Sequence, residues 1–149
     1  MSAVSSRAFS DGTVLAHNER GTARMSALKP GVLLYVCSGY FQHEFYAPMV
    51  AVAQREIERS GALVMLVDGW ELSGIDTAYR EAWTAWFKQH KAHFRMQLLV
   101  RTRIMEMAAS LANLFTGINV ITTHSKIAEW ERACAADMPG FRRRSVPAA

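Results

Sequence analysis

The sequence predicts a single α/β domain, a layer of parallel strands with helices packed against it. Short apolar, β-branched runs recur at residues 32–37, 62–67, 96–100 and 118–123, as expected of strands buried on both faces. The stretches between them carry apolar residues at helical spacing. Strand and helix alternating at this interval imply parallel strands joined by right-handed crossovers. No internal repeat or linker divides the 149 residues, so one domain is expected.

Before residue 32 the patterning is weak. Residues 12–17 alternate faintly, Asn18-Glu19-Arg20-Gly21 reads as a turn, and residues 22–28 suit another extended piece. Pro30-Gly31 then punctuates the chain before the first strong strand. Phe41, Phe45, Met49, Val52 and Ile57 follow at helical spacing. Pro48 lacks an N–H and clashes with a preceding helical turn, which places the main helix start near it, after a separately wound turn. Gly61 is a C-terminal cap.

After the strand 62–67, Ile75, Tyr79, Ala82, Trp83, Trp86, Phe87 and His90 give the clearest amphipathic helix, with Asp76 as its N-cap. Beyond the strand 96–100, Ile104, Met107, Ala108, Leu111, Leu114 and Phe115 make a further helix face that Gly117 closes. The last strand, 118–123, leads to a final helix that Ser125 caps and that carries Ile127, Trp130 and Cys134.

Composition narrows the class. Half of the residues are hydrophobic and a fifth are charged, as in ordinary globular domains. No apolar run approaches the ~20 residues of a membrane span, so no transmembrane segment is expected. Residues 1–10 carry no apolar core of a secretory signal, and a cytoplasmic setting is expected. Cys37 and Cys134 lie far apart, one on a strand pattern and one on a helical pattern, and read as buried free thiols. Part of the +4 net charge lies in Arg142-Arg143-Arg144, which reads as a solvated end and not as a nucleic-acid site. The expected organisation is a disordered N-terminus over 1–10, a folded domain over 11–137 and a basic flexible tail over 138–149.

The segment from Leu63 to Thr77 carries the functional signal. An apolar strand stops at Asp68, and a short loop, Gly69-Trp70-Glu71-Leu72-Ser73-Gly74-Ile75, delivers Asp76 and Thr77 to a helix start. This layout resembles the STAS domain of anti-sigma-factor antagonists, in particular its SpoIIAA-like branch. In that family a buried strand ends in Asp or Asn, and an Asp-Ser pair opens a helix after the loop. The Asp68 to Asp76 separation fits that pattern, and Thr77 falls at the family's phosphorylatable serine. Ala78 and Tyr79 replace the second serine and the glycine. The resemblance spans roughly residues 30–136.

What the resemblance implies is a mixed sheet with an early antiparallel edge strand, a parallel core through Val32, Leu63, Leu98 and Val120, and helices mainly on one face. It also implies a bacterial, non-enzymatic regulatory or scaffolding protein in signalling, which works by binding a protein partner and is switched at Thr77. The branch is further similar to CRAL–TRIO lipid-transfer domains, so binding of a small apolar ligand or lipid is the alternative.

Residue chemistry adds candidates at the carboxyl ends of the strands, where open α/β sheets gather their ligands. Asp68, Asp76, Arg101 and Arg103 would support a phosphoryl group at Thr77, because guanidinium binds phosphate in bidentate fashion; simple helix capping explains the same residue types. Tyr79, Trp83 and Trp86 follow one another on one helix, either as core or as the wall of an apolar pocket. Met105, Ala109 and Ala112 widen the apolar surface of the helix over 104–115, which suits docking to a partner or self-association into a homodimer. His90 and His93 have no third ligand at a suitable spacing, so no metal is expected. No nucleophile motif or glycine-rich phosphate loop is present, and neither catalytic residues nor a cofactor are expected.

Overall fold

The computed structural model describes residues 3–102 and 120–144. Among them one sheet holds seven strands in sequential order: β1 (Ser5–Ala8), β2 (Val14–His17), β3 (Gly21–Lys29), β4 (Val32–Phe41), β5 (Leu63–Ile75), β6 (Phe94–Val100) and β7 (Ile121–His124). The first four pair antiparallel and β4 to β7 pair parallel, which makes the sheet mixed. The connections explain the switch. Tight turns join β1 to β4, whereas α1 (Tyr46–Ser60) and α2 (Thr77–His90) fill the crossovers on either side of β5. A third helix, α3 (Ile127–Ala135), follows β7.

Local chemistry accounts for the turns. The Asn18 carboxamide oxygen accepts from the backbone N–H groups of Arg20 (2.8 Å) and Gly21 (3.0 Å), closing the β2–β3 turn. Gly31 turns the chain between β3 and β4 at φ +80°. A 3-10 turn at His43–Phe45 precedes α1, and Pro48 sits in the first turn of that helix, where its missing N–H has no partner to lose. Gly61 ends α1 at φ +81°, its N–H donating to Ile57 O.

The sheet is covered on both sides. Leu33, Tyr35, Met65, Val67 and Met96 face α1 and α2, packing with Phe41, Phe45, Met49, Trp83, Trp86 and Phe87. Val32, Leu66 and Leu99 face the other way, against Trp130 and Cys134 of α3 and Phe141 beyond it. Among the described residues the helices lie mainly on one face, as expected: α1 and α2 pack there, and α3, whose Trp130 is fully buried, covers the opposite side. Lys126, not Ser125, stands at its N-cap. Of the four core positions, Val32, Leu63 and Val120 are buried and Leu98 is half-buried within β6.

Described residues within the expected disordered N-terminus and within the expected flexible tail take part in the fold. Ser5–Ala8 form β1 in antiparallel register with β2. All four of its side chains are exposed, so backbone pairing holds the strand and no hydrophobic pattern marks it. In the expected tail, Phe141 is buried and Met138 packs against the α3 side of the core. Arg143 is held at three points: its N–H donates to Glu131 Oε2 (2.6 Å), its Nε to Asp68 Oδ2 (2.7 Å), and its guanidinium lies 3.9 Å from Glu71.

Candidate functional site

The expected loop after Asp68 is strand. β5 continues through Asp68 to Ile75 and stays paired with β4 as far as Phe41 and Ile75, with bulges at Val36/Ser38 and Gly39/Tyr40. Glycine permits this. A Cβ on Gly69 would stand 2.6 Å from Leu99 O on β6, and one on Gly39, at φ +86°, would stand 2.2 Å from Arg20 O. Together β4 and β5 form an arm that projects past the paired ends of β6 and β7.

This extension separates the residues that the loop reading brought together. Seven strand steps at about 3.3 Å each, roughly 23 Å, carry the chain from Asp68 to Ile75 before Thr77 is reached. Asp68 is buried on the α3 side, with Trp70 N–H and Arg143 on its carboxylate. Asp76 caps α2, accepting from Tyr79 N–H at 2.7 Å, and its second oxygen accepts from His43 N–H at 3.0 Å. Thr77 follows, exposed. Arg101 lies over the Trp70 ring at 5.8 Å. Arg103, Met105, Ala109 and Ala112 lie outside the described residues.

A cavity opens between α2 and the face of the sheet, about 390 Å³ in volume, within the ~300–1,000 Å³ range of small-molecule sites. Its floor is Tyr35 and Cys37 of β4, Met65 and Val67 of β5, and Leu98 of β6; its roof is Tyr79, Trp83 and Phe87 of α2. Arg80 and Thr84, both at least partly exposed, stand at its rim. The aromatic stripe thus divides. Tyr79 and Trp83 face this space, whereas Trp86 packs toward α1, its indole N–H donating to Gln54 Oε1 at 2.8 Å. A larger groove of about 740 Å³ lies at the opposite end of the sheet. It opens to solvent between exposed Lys29 and Arg59 and encloses no comparable apolar space.

One end of the cavity is polar. The Tyr35 and Tyr79 hydroxyls share a hydrogen bond of 2.8 Å. Burial, with their mutual repulsion as anions, pushes Tyr35 far above the usual phenol range, and burial first and foremost raises Tyr79 and Cys37. All three groups stay protonated and neutral near pH 7. Trp83 is only 5% exposed, and its indole N–H meets no acceptor. That N–H makes a weak hydrogen-bonding contact with the Tyr79 hydroxyl, which offsets part of the upward shift of Tyr79, but it falls short of a full hydrogen bond. A buried donor left so costs roughly 1–3 kcal/mol.

Sequence reading missed Tyr35 and Cys37. Their signal was present: alternate residues of β4 share a face, so Leu33, Tyr35 and Cys37 line up, and a tyrosine among aliphatic residues marks a phenol that needs a partner. Among the described residues, no group of three or more His, Cys, Asp or Glu is arranged to hold a metal ion. Nor is any described helix long and apolar enough to cross a membrane.

No family model matches the chain, and no curated protein matches it. Among solved structures it is similar to the crystal structure of an uncharacterized protein from the DUF3478 family with a SpoIIAA-like fold, from Shewanella loihica PV-4. The two share 16% sequence identity over 87% of this chain and 91% of that one, with a TM-score of 0.54. The fold is therefore SpoIIAA-like: a mixed sheet flanked by helices.

Proposed function

We propose that this SpoIIAA-like domain is a non-enzymatic binding protein that takes a small apolar ligand between α2 and the sheet. The half-open, largely apolar cavity of about 390 Å³ carries the reading. Close packing normally leaves few spaces of this size against a sheet face, and its apolar walls offer dispersion contacts to an apolar molecule that displaces solvent from it. At about 30 Å³ for each water-sized group, the space suits a molecule of roughly a dozen non-hydrogen atoms.

The test is a native mass spectrum of protein purified from its own host, paired with the variant Leu98→Trp. A retained apolar molecule in the wild type that is lost from the folded variant supports the reading. An empty wild-type protein that also fails to take up apolar probes rules it out.

A second reading is a regulatory role through a protein partner, and exposed Thr77 favours it. Asp76 is locked as a cap and Tyr79 is buried, so Thr77 carries the exposed hydroxyl at this helix start that a kinase could reach. Because α2 carries Thr77 at its start and roofs the cavity along its length, one helix would serve both roles.

A further inference from the structure

We infer that the ligand of this cavity is uncharged and carries a hydrogen-bond acceptor, a ketone, aldehyde or ester carbonyl, which it directs to the Tyr35–Tyr79–Trp83 end. The inference rests on the apolar-ligand reading and adds to it the chemical class of the ligand.

The donor count leads there. Two hydroxyls joined by one hydrogen bond use one of their two protons, so the Tyr35–Tyr79 pair retains one O–H. Cys37 lies within hydrogen-bonding reach of Tyr35, but sulfur is a weak acceptor that a carbonyl oxygen outcompetes. The Trp83 N–H is a second donor, buried and without an acceptor. A carbonyl oxygen has two lone pairs and no proton, which matches two convergent donors. A hydrocarbon would leave the indole N–H unsatisfied.

Charge excludes the nearest competitor. A carboxylate at this end would be buried among neutral groups, with desolvation uncompensated by any described cation on the cavity floor. Arg80 lies at the rim, where it stays in water. A fatty acid would therefore have to reverse, with its head at Arg80 and its tail against the donors, and the indole would again go without a partner.

Three probes of about a dozen non-hydrogen atoms each separate the cases: valerophenone, hexylbenzene and 4-phenylbutyrate. Their affinities are measured calorimetrically on the wild type, Tyr79→Phe and Trp83→Phe, with circular dichroism to verify folding. Hydrophobicity differs among the probes, so each variant's loss for the ketone is compared with its loss for the hydrocarbon. We expect Trp83→Phe to weaken valerophenone about tenfold more than hexylbenzene, and Tyr79→Phe, which keeps the ring, to do so severalfold. Equal losses for both probes overturn the carbonyl inference and leave the cavity reading standing. Tighter binding of 4-phenylbutyrate than of valerophenone overturns the preference for an uncharged head. Binding of none of the three sinks both the inference and the reading beneath it.

Discussion

Arg143 donates from Nε to the Asp68 carboxylate at 2.7 Å, joining residues 75 positions apart in the chain. Asp68 is almost wholly buried and Arg143 about four-fifths so. The contact clamps the segment after α3 onto the middle of β5, beside Trp130, Cys134 and Phe141. Removing one member strands the other. We predict that Arg143→Ala lowers stability by about 2–3 kcal/mol, somewhat below the ~3–5 kcal/mol of fully buried pairs because Arg143 retains some solvent. Asp68→Asn, which keeps the shape and removes the charge, should cost less. Urea unfolding measures both, and an Arg143→Ala variant as stable as the wild type would show that the clamp is ornamental.

Glu56 fastens the end of α1 to the β3–β4 turn. It accepts from Gly31 N–H (2.9 Å), Ser60 Oγ (2.7 Å) and Arg59 (2.6 Å) while nearly excluded from solvent. Burial opposes its ionisation, but these donors outweigh burial and hold its carboxyl below the ordinary value of 4.5. A carboxylate with a depressed folded pKa contributes stability above its unfolded pKa, and that contribution disappears as pH falls through the folded value. Glu56→Gln should therefore cost about 1–3 kcal/mol at pH 7. The gap in melting temperature between wild type and variant should narrow below pH 4.5. A gap independent of pH would contradict this account.

The two thiols should be inert in the native protein. Cys37 and Cys134 are buried and free. Burial pushes Cys37 well above its usual range, and burial with the nearby carboxylates of Asp137, Glu131 and Asp68 raises Cys134 to about 12. The thiolate is the reactive species, so alkylation at pH 8 should run at less than about a hundredth of the rate in denaturant. Rapid native labelling of Cys37 would mean that the cavity floor admits solvent and reagent freely.

Thr77 separates capping from signalling. A carboxylate in the first turn of a helix is favoured by the helix dipole, so Thr77→Glu should change stability by less than about 1 kcal/mol. If a partner docks at this helix start, the protein captured from host lysate by the wild type should bind the variant at least tenfold more weakly or more tightly. Equal affinity would reduce Thr77 to a helix-start residue with no part in recognition.

Sequence by itself determined the parallel half of this fold. β4 and the first half of β5 pack on both faces, and the amphipathic stripe of α2 and the cap at Asp76 arise within a few residues, so local pattern and local chemistry record them. It also marked Tyr79 and Trp83, because a helix stripe shows which residues point inward. Tertiary structure decided the rest. β1 is held by backbone bonds that no side-chain pattern encodes. β5 runs past Asp68 because Gly69 admits the close approach of Leu99 O, a contact with a strand 30 residues later. Arg143 looked like one of three solvated arginines until folding brought Asp68 and Glu131 to it. The cavity is of the same kind: Tyr35 and Tyr79 lie 44 residues apart, and only the crossover of α2 over the sheet turns two separate aromatic signals into one shared hydrogen bond beside an unsatisfied indole.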